Sequence, residues 1–117
     1  MSMIGIRFRL EPLRTLAFGG ISGTYAGIGT AIDNPVRMLI LKNLTDAELF
    51  ASLDGVTNQI HLSSGEVIVL DITSNKSLGG GFFLAQGERV YIKDTGVAAT
   101  LGAVYLTIMY ASDSAPM

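Results

Sequence analysis

The sequence has no cysteine, no tryptophan and a single histidine, His61. The absence of cysteine excludes disulfide bonds and thiolate metal sites. His61 alternates with Ile60 and Leu62 in an apparent strand, which predicts that it lies on the polar side of that strand. No nucleophile or acid accompanies it in a recognisable pattern, so we expect a surface histidine rather than a catalytic base.

Charge is also scarce. Charged residues make up 15% of the 117 residues, against about 25% in typical soluble domains, and the net charge is −2. A monomer of this size should need more charge to remain soluble, so we predict that part of the surface contacts other protein. The closest basic residues, Arg7, Arg9 and Arg14, flank Glu11 and offer few phosphate contacts. The sequence therefore predicts no nucleic-acid partner.

Residues 15–32 lack charge altogether, and Gly19, Gly23 and Gly27 repeat at four-residue spacing within them. One interpretation is a membrane helix with a small-residue packing face. The other is a glycine-rich arm of strands and loops, since glycine permits close approach to another backbone. Eighteen residues with several hydroxyl groups are short for a membrane span, so we expect the arm and no membrane partner. Residues 1–10 do not resemble a signal peptide, because Arg7 and Arg9 interrupt them.

Other chemical motifs are incomplete. Four aspartates could form a carboxylate cluster for calcium binding or for glycoside chemistry: Asp33, Asp46, Asp54 and Asp71. The first three stand at predicted turns, where aspartate commonly bonds its own backbone. Gly27 and Gly29 begin a dinucleotide fingerprint, but Ile32 occupies the third glycine position and no helix follows. We therefore predict no enzyme, no cofactor and no metal site.

The central stretch is an apolar run at residues 36–41, a polar connection at 43–46, and a second run at 48–53. Asparagine and aspartate in the connection favour a turn, which predicts an antiparallel hairpin in the centre of one sheet. Residues 36–41 and 103–111 are apolar on both faces. An outward apolar face is expected to be covered, either by an N-terminal segment or by another subunit.

Alternating patterns and turn signals predict about nine short strands and no convincing helix. The predicted strands are residues 3–10, 13–18, 36–41, 48–53, 58–62, 66–73, 82–85, 89–93 and 102–111. This pattern predicts an all-β fold, an antiparallel sandwich in a single domain spanning residues 1–117. Residues 1–32 would form a strand plus the glycine-rich arm, 33–111 the sandwich core, and 112–117 a frayed tail.

Aromatic residues and methionine are enriched at protein interfaces, and adjacent aromatics on a strand cannot both enter one core. Phe82 and Phe83 are such a pair. The predicted subunit-interface residues are Leu16, Phe18, Tyr25, Phe82, Phe83, Tyr105 and Met109.

Eight segments between residues 14 and 111 resemble small virion proteins of tailed bacteriophages. They are residues 25–29, 35–37, 42–47, 51–55, 70–71, 75–76, 87–93 and 102–105. The resemblance implies a jelly-roll-like β-sandwich subunit, built into the particle in a ring or cluster. Such proteins serve in collars, in head-to-tail joining or in capsid decoration.

Together these expectations describe a non-enzymatic virion structural protein that forms a symmetric homo-oligomer at the neck or head-to-tail interface. Its partners would be identical subunits and portal, neck or capsid proteins, in a virion assembled in the host cytoplasm. Two alternatives remain open: a trimeric capsid cement protein, and a carbohydrate-binding module that stacks a sugar on Tyr25 or Tyr91.

Overall fold

The computed structural model describes residues 6–34, 36–71 and 88–113, and side chains within residues 9–34, 36–71 and 88–110. The predicted strand at residues 82–85 lies outside the described part of the chain.

Two antiparallel sheets make up the described fold, which confirms the predicted all-β sandwich. The strands are β1 Ile6–Leu10, β2 Arg14–Ala17, β3 Ala26–Gly27, β4 Val36–Asn43, β5 Leu49–Ser52, β6 Ile60–Leu62, β7 Val67–Asp71, β8 Tyr91–Asp94 and β9 Ala103–Asp113. A short 3-10 helix, Phe18–Gly20, follows β2. Jelly-roll connectivity stays a prediction.

The five-stranded sheet is organised around β9. On one side, β1 pairs with the C-terminal half of β9 and β2 pairs with its N-terminal half. On the other side lies β4, followed by β7. The four-stranded sheet has the order β3-β8-β5-β6. Because β9 is flanked on both sides, its residues and those of β4 occupy the middle of their sheet.

The core lies between the two sheets and follows from strand alternation, which sends every second side chain inwards. From the five-stranded sheet, Leu39 and Leu41 on β4 face inwards with Leu106 and Ile108 on β9, and each is at most 1% exposed. The four-stranded sheet contributes Leu49, Ala51, Leu62 and Ile92 to the same cluster.

The predicted hairpin of residues 36–41 and 48–53 is wrong. Strand β4 pairs with β7 and β9, whereas β5 pairs with β6 and β8 in the other sheet. The connection crosses between the sheets at Asn43, whose side chain is completely buried. Its amide nitrogen donates to the carbonyls of Ala47, Leu62 and Ser63, and its amide oxygen accepts from the Thr45 backbone and hydroxyl. This network fixes the crossing.

The glycine-rich segment is not a free arm. Ile21, Ile28 and Ile32 are 7%, 0% and 2% exposed and belong to the core. Strand β2 joins the five-stranded sheet and β3 the four-stranded one, so the segment between them links the two sheets. Strand β9 continues to Asp113, so residues 112 and 113 of the predicted tail belong to a strand, and residues 114–117 lie outside the described part of the chain.

A buried ion pair ties the first strands to this segment. Arg14 Nη1 lies 2.8 Å from Glu11 Oε1, and both side chains are at most 5% exposed. Arg14 also donates to the carbonyls of Thr30 and Ala31, while Glu11 accepts from the Asn34 amide. Arg14 is thus a structural residue, unavailable to a phosphate.

Candidate functional site

The outer side of the five-stranded sheet carries a continuous group of apolar residues. Residues directly opposite on neighbouring strands share a face, so the pairing register identifies the set. We call it the apolar face: Leu10, Thr15, Met38, Ile40, Lys42, Val67, Val69, Asp71, Tyr105, Thr107 and Met109.

These residues form three rows across the strands. The first row is Leu10, Met109, Met38 and Asp71. The middle row is Thr107, Ile40 and Val69. The last row is Thr15, Tyr105, Lys42 and Val67. The charged members of the face are one cation and one anion, placed in opposite outer rows.

Large aliphatic side chains on this face are open to solvent. Leu10, Val67 and Val69 are 63%, 48% and 55% exposed, and the residues on β4 and β9 between them are half-buried except for exposed Lys42. Four columns of strands and three rows of residues cover roughly 400 Å² at standard strand spacing. That is the size at which an apolar patch on a monomer is often functional.

The outer side of the four-stranded sheet is different. We call Tyr25, Phe50, His61, Tyr91 and Lys93 the aromatic face. Lys93 Nζ lies 5.0 Å from the Tyr25 ring centroid and 5.9 Å from that of Phe50. The Phe50 and His61 rings make an edge contact at 5.8 Å. The aromatic face therefore holds a cation between two rings, at distances where cation–π attraction acts.

His61 has a partner that sequence reasoning did not identify. Its Nε2 lies 2.9 Å from Glu48 Oε1, with side chains 47% and 60% exposed. The expectation of a surface histidine is confirmed. An exposed pair of this kind contributes little to stability.

The two tyrosines of the aromatic face hold the loop after β5. The Tyr25 hydroxyl donates to Asn58 Oδ1 at 2.7 Å, and burial, reinforced by the negative charge of Asp54, raises the pKa of Tyr25. The Tyr91 ring lies against Gly55, where an added Cβ would approach ring atoms to 3.4 Å. Both rings therefore have structural contacts that account for their positions.

Asp54 serves the backbone of its own turn, as predicted, whereas Asp46 bonds a loop that is distant in sequence. Asp54 accepts from the Ser52 hydroxyl and from the amides of Val56 and Thr57, and the hydroxyl bond above all lowers the pKa of Asp54. Asp46 accepts from the Thr100 hydroxyl and amide, which lower the pKa of its carboxyl. Among the described residues, no three potential metal-binding side chains cluster together.

Of the predicted interface residues, Tyr105 and Met109 lie together on the apolar face. Tyr25 lies on the opposite, aromatic face. The prediction therefore combined residues from two separate surfaces.

The other predicted interface residues are dispersed or undescribed. Leu16 turns inwards and packs against the core, so it does not belong to either outer face. Phe18 stands in the 3-10 helix and is 40% exposed. Phe82 and Phe83 lie outside the described residues.

Sequence reasoning missed Met38, Ile40 and Val69 as surface residues. The signal was present, because residues 36–41 are apolar on both faces. Only the pairing of β4 with β7 and β9 shows that these side chains form one face with Tyr105 and Met109.

No known protein family matches this chain, and no curated protein matches it. Within the part of the chain that the structure describes, none of the helices has the length and apolarity that a membrane crossing needs.

Proposed function

We propose that this chain is a non-enzymatic structural subunit of a tailed-phage virion, and that it forms a symmetric homo-oligomer at the neck or head-to-tail interface. The observation that carries the proposal is the apolar face. A sheet with one outer side of exposed Leu10, Val67 and Val69 is suited to be covered by protein. The resemblance of its turn and strand segments to small phage virion proteins supports the particle context.

In this proposal the covering protein is an identical subunit, and the remaining surface contacts portal, neck or capsid proteins. Assembly takes place in the host cytoplasm and the protein ends in the virion. The alternative role on the same fold is a trimeric capsid cement protein. An electron micrograph of the purified protein separates the two, because a ring of many copies favours the neck and three copies favour the capsid surface.

The apolar face is tested by placing a charge in its middle row. Val69→Glu should lower the mass of the oligomer, because the contact through this face would bury a carboxylate without a partner. Native mass spectrometry measures the change. Val97→Glu is the matched control, since Val97 is a 70% exposed valine in a loop outside the face.

The proposal predicts a species of lower mass for Val69→Glu and the wild-type oligomer for Val97→Glu, with both variants folded by circular dichroism. An oligomer that survives Val69→Glu unchanged would remove the apolar face as its contact surface.

A carbohydrate-binding module is the second candidate, favoured by the shared position of Tyr25 and Tyr91 on the aromatic face. Glycan-array binding that is lost on Tyr91→Ala would support it. Retention of binding in that variant would argue against sugar stacking at this face.

A further inference from the structure

We propose that the apolar face packs against the same face of a second copy, related by a twofold axis. This axis lies in the plane between the two faces, perpendicular to the strands and along the middle row. This inference rests on the proposed function and specifies its first contact. The middle row, Thr107, Ile40 and Val69, then meets its own counterpart, and the first row of each copy lies over the last row of the other.

The row reversal places side chains of the two copies opposite partners that pack well against them. Met109 in the first row lies over Tyr105 of the second copy, in the column that β9 provides. Methionine sulfur packs favourably against aromatic rings. Ile40 and Val69 meet themselves on the axis, so the centre of the contact is aliphatic.

Charge placement agrees with the same axis. Asp71 is at the β7 end of the first row, and Lys42 is on β4 in the last row. Reversing the rows puts Asp71 of one copy beside Lys42 of the other, one strand spacing apart across the contact. The self-complementary pattern is what an isologous contact requires.

A twofold axis parallel to the strands, between β4 and β9, gives a poorer match. It keeps the rows and exchanges the columns, so Asp71 of one copy and Lys42 of the other stay in opposite outer rows, two rows and two strands apart. The two charges then do not meet across the contact.

The aromatic face is a less suitable partner for the apolar face. Covering it would take Lys93, His61 and Glu48 out of water. Desolvating the Lys93 and Glu48 charges costs several kcal/mol per ion unless new partners compensate, whereas Lys42 and Asp71 of the apolar face approach each other in the twofold contact. The second copy therefore presents its apolar face.

The contact is modest in size. Two faces of roughly 400 Å² bury about 800 Å² of total surface, below the ~1,200 Å² at which specific interfaces become stable on their own. The twofold pair is consequently a building unit, and a larger oligomer needs additional contacts elsewhere on the subunit.

The test uses the absence of cysteine in the natural chain, because every introduced cysteine is then the only thiol. Facing sheets are about 10 Å apart, which is too far for a disulfide but within reach of a short bismaleimide. Ile40→Cys should crosslink to itself. Met109→Cys should crosslink to a size-tagged Tyr105→Cys chain, but not to itself, because the row reversal separates the two Met109 positions.

Val97→Cys in the exposed loop is the control and should remain uncrosslinked. Self-crosslinking of Met109→Cys, or equal crosslinking of Val97→Cys, would overturn the twofold arrangement. An oligomer by mass in which Ile40→Cys fails to crosslink would overturn this inference while leaving the proposed function intact. A wild-type chain that is monomeric by mass would remove the proposed function itself.

Discussion

At the scale of single residues, two acid–base pairs show how burial changes the contribution of an ion pair to the stability of the fold. Glu11 and Arg14 are almost completely buried, whereas Glu48 and His61 are about half exposed. Glu11 Oε1 and Arg14 Nη1 lie 2.8 Å apart, and among the described residues neither atom has another hydrogen-bond partner. Removing the Glu11 charge leaves Arg14 with two backbone carbonyls and the exposed carboxylate of Asp33, whose Oδ2 lies 4.0 Å from Arg14 Nη2.

Glu11→Gln should lower the free energy of unfolding by about 3–5 kcal/mol, because the buried Arg14 guanidinium then keeps only the exposed carboxylate of Asp33, 4.0 Å away, as an anion. Chemical denaturation measures the loss. Glu48→Gln is the matched control and should cost less than about 1 kcal/mol, since that pair is solvated. Equal losses in the two variants would contradict the assignment of a buried pair.

The turn aspartates predict a dependence on pH. The folded pKa of Asp54 is lowered from 3.8, chiefly by the Ser52 hydroxyl, so its ionised form stabilises the fold above that value. This contribution is lost as the pH falls through the folded pKa. Asp54→Asn should therefore reduce Tm most at pH 7, and the difference from wild type should shrink towards pH 2. A difference that is constant across this range would contradict the role given to ionised Asp54.

Residue roles were only partly predictable. Asp54 stands beside turn signals, so its local role follows from neighbouring residues. Asp46 also stands at a turn, but its partner Thr100 is distant in sequence and could not be predicted from that turn. The Glu11–Arg14 pair could not be predicted, because no neighbouring residue in the sequence shows that residues 30–34 cover this charged segment. Long-range burial decides such cases.

At the scale of elements, the entry into β9 depends on a glycine. Gly102 has φ +88°, and a Cβ there would lie 2.1 Å from the Leu44 carbonyl oxygen. Close to this point, the Leu44 amide donates to the Ala103 carbonyl at 3.0 Å. The loop after β4 and the start of β9 thus touch backbone to backbone.

Gly102→Ala should destabilise the protein far more than Gly65→Ala. Gly65 has φ +80°, but a Cβ added there would meet open space. Alanine at this position therefore pays only the conformational cost of positive φ, about 1–2 kcal/mol. Thermal unfolding compares the two variants. If both lose the same stability, the backbone contact at Gly102 has no energetic weight.

Most of the described strand positions followed from the sequence because alternation and turn residues are local signals. Strand β3 did not, because its two residues lie in the glycine-rich segment that was predicted to be an arm. The sheet to which each strand belongs could not be predicted in this way. Strands β4 and β5 have compatible patterns and a short connection, yet they belong to opposite sheets. The buried amide of Asn43, which bonds residues of both the connection and the end of β6, determines the crossing. An asparagine in a polar connection gives no sign of such burial.

At the scale of the whole molecule, the apolar stretches of β4 and β9 explain why the outer side of their sheet is apolar. Both strands lie in the middle of the sheet, so their outward residues form one surface rather than scattered exposed positions. The expectation of a covered outer face came from these runs alone. The pairing register was needed to show where this face lies and that it is separate from the aromatic face.

Sedimentation of the wild-type chain over about 1 μM to about 1 mM tests the central claim most directly, because a contact of this size should associate within that range. We predict concentration-dependent growth from the 12.4 kDa subunit to a defined oligomer. A single monomeric species across the whole range would contradict the account.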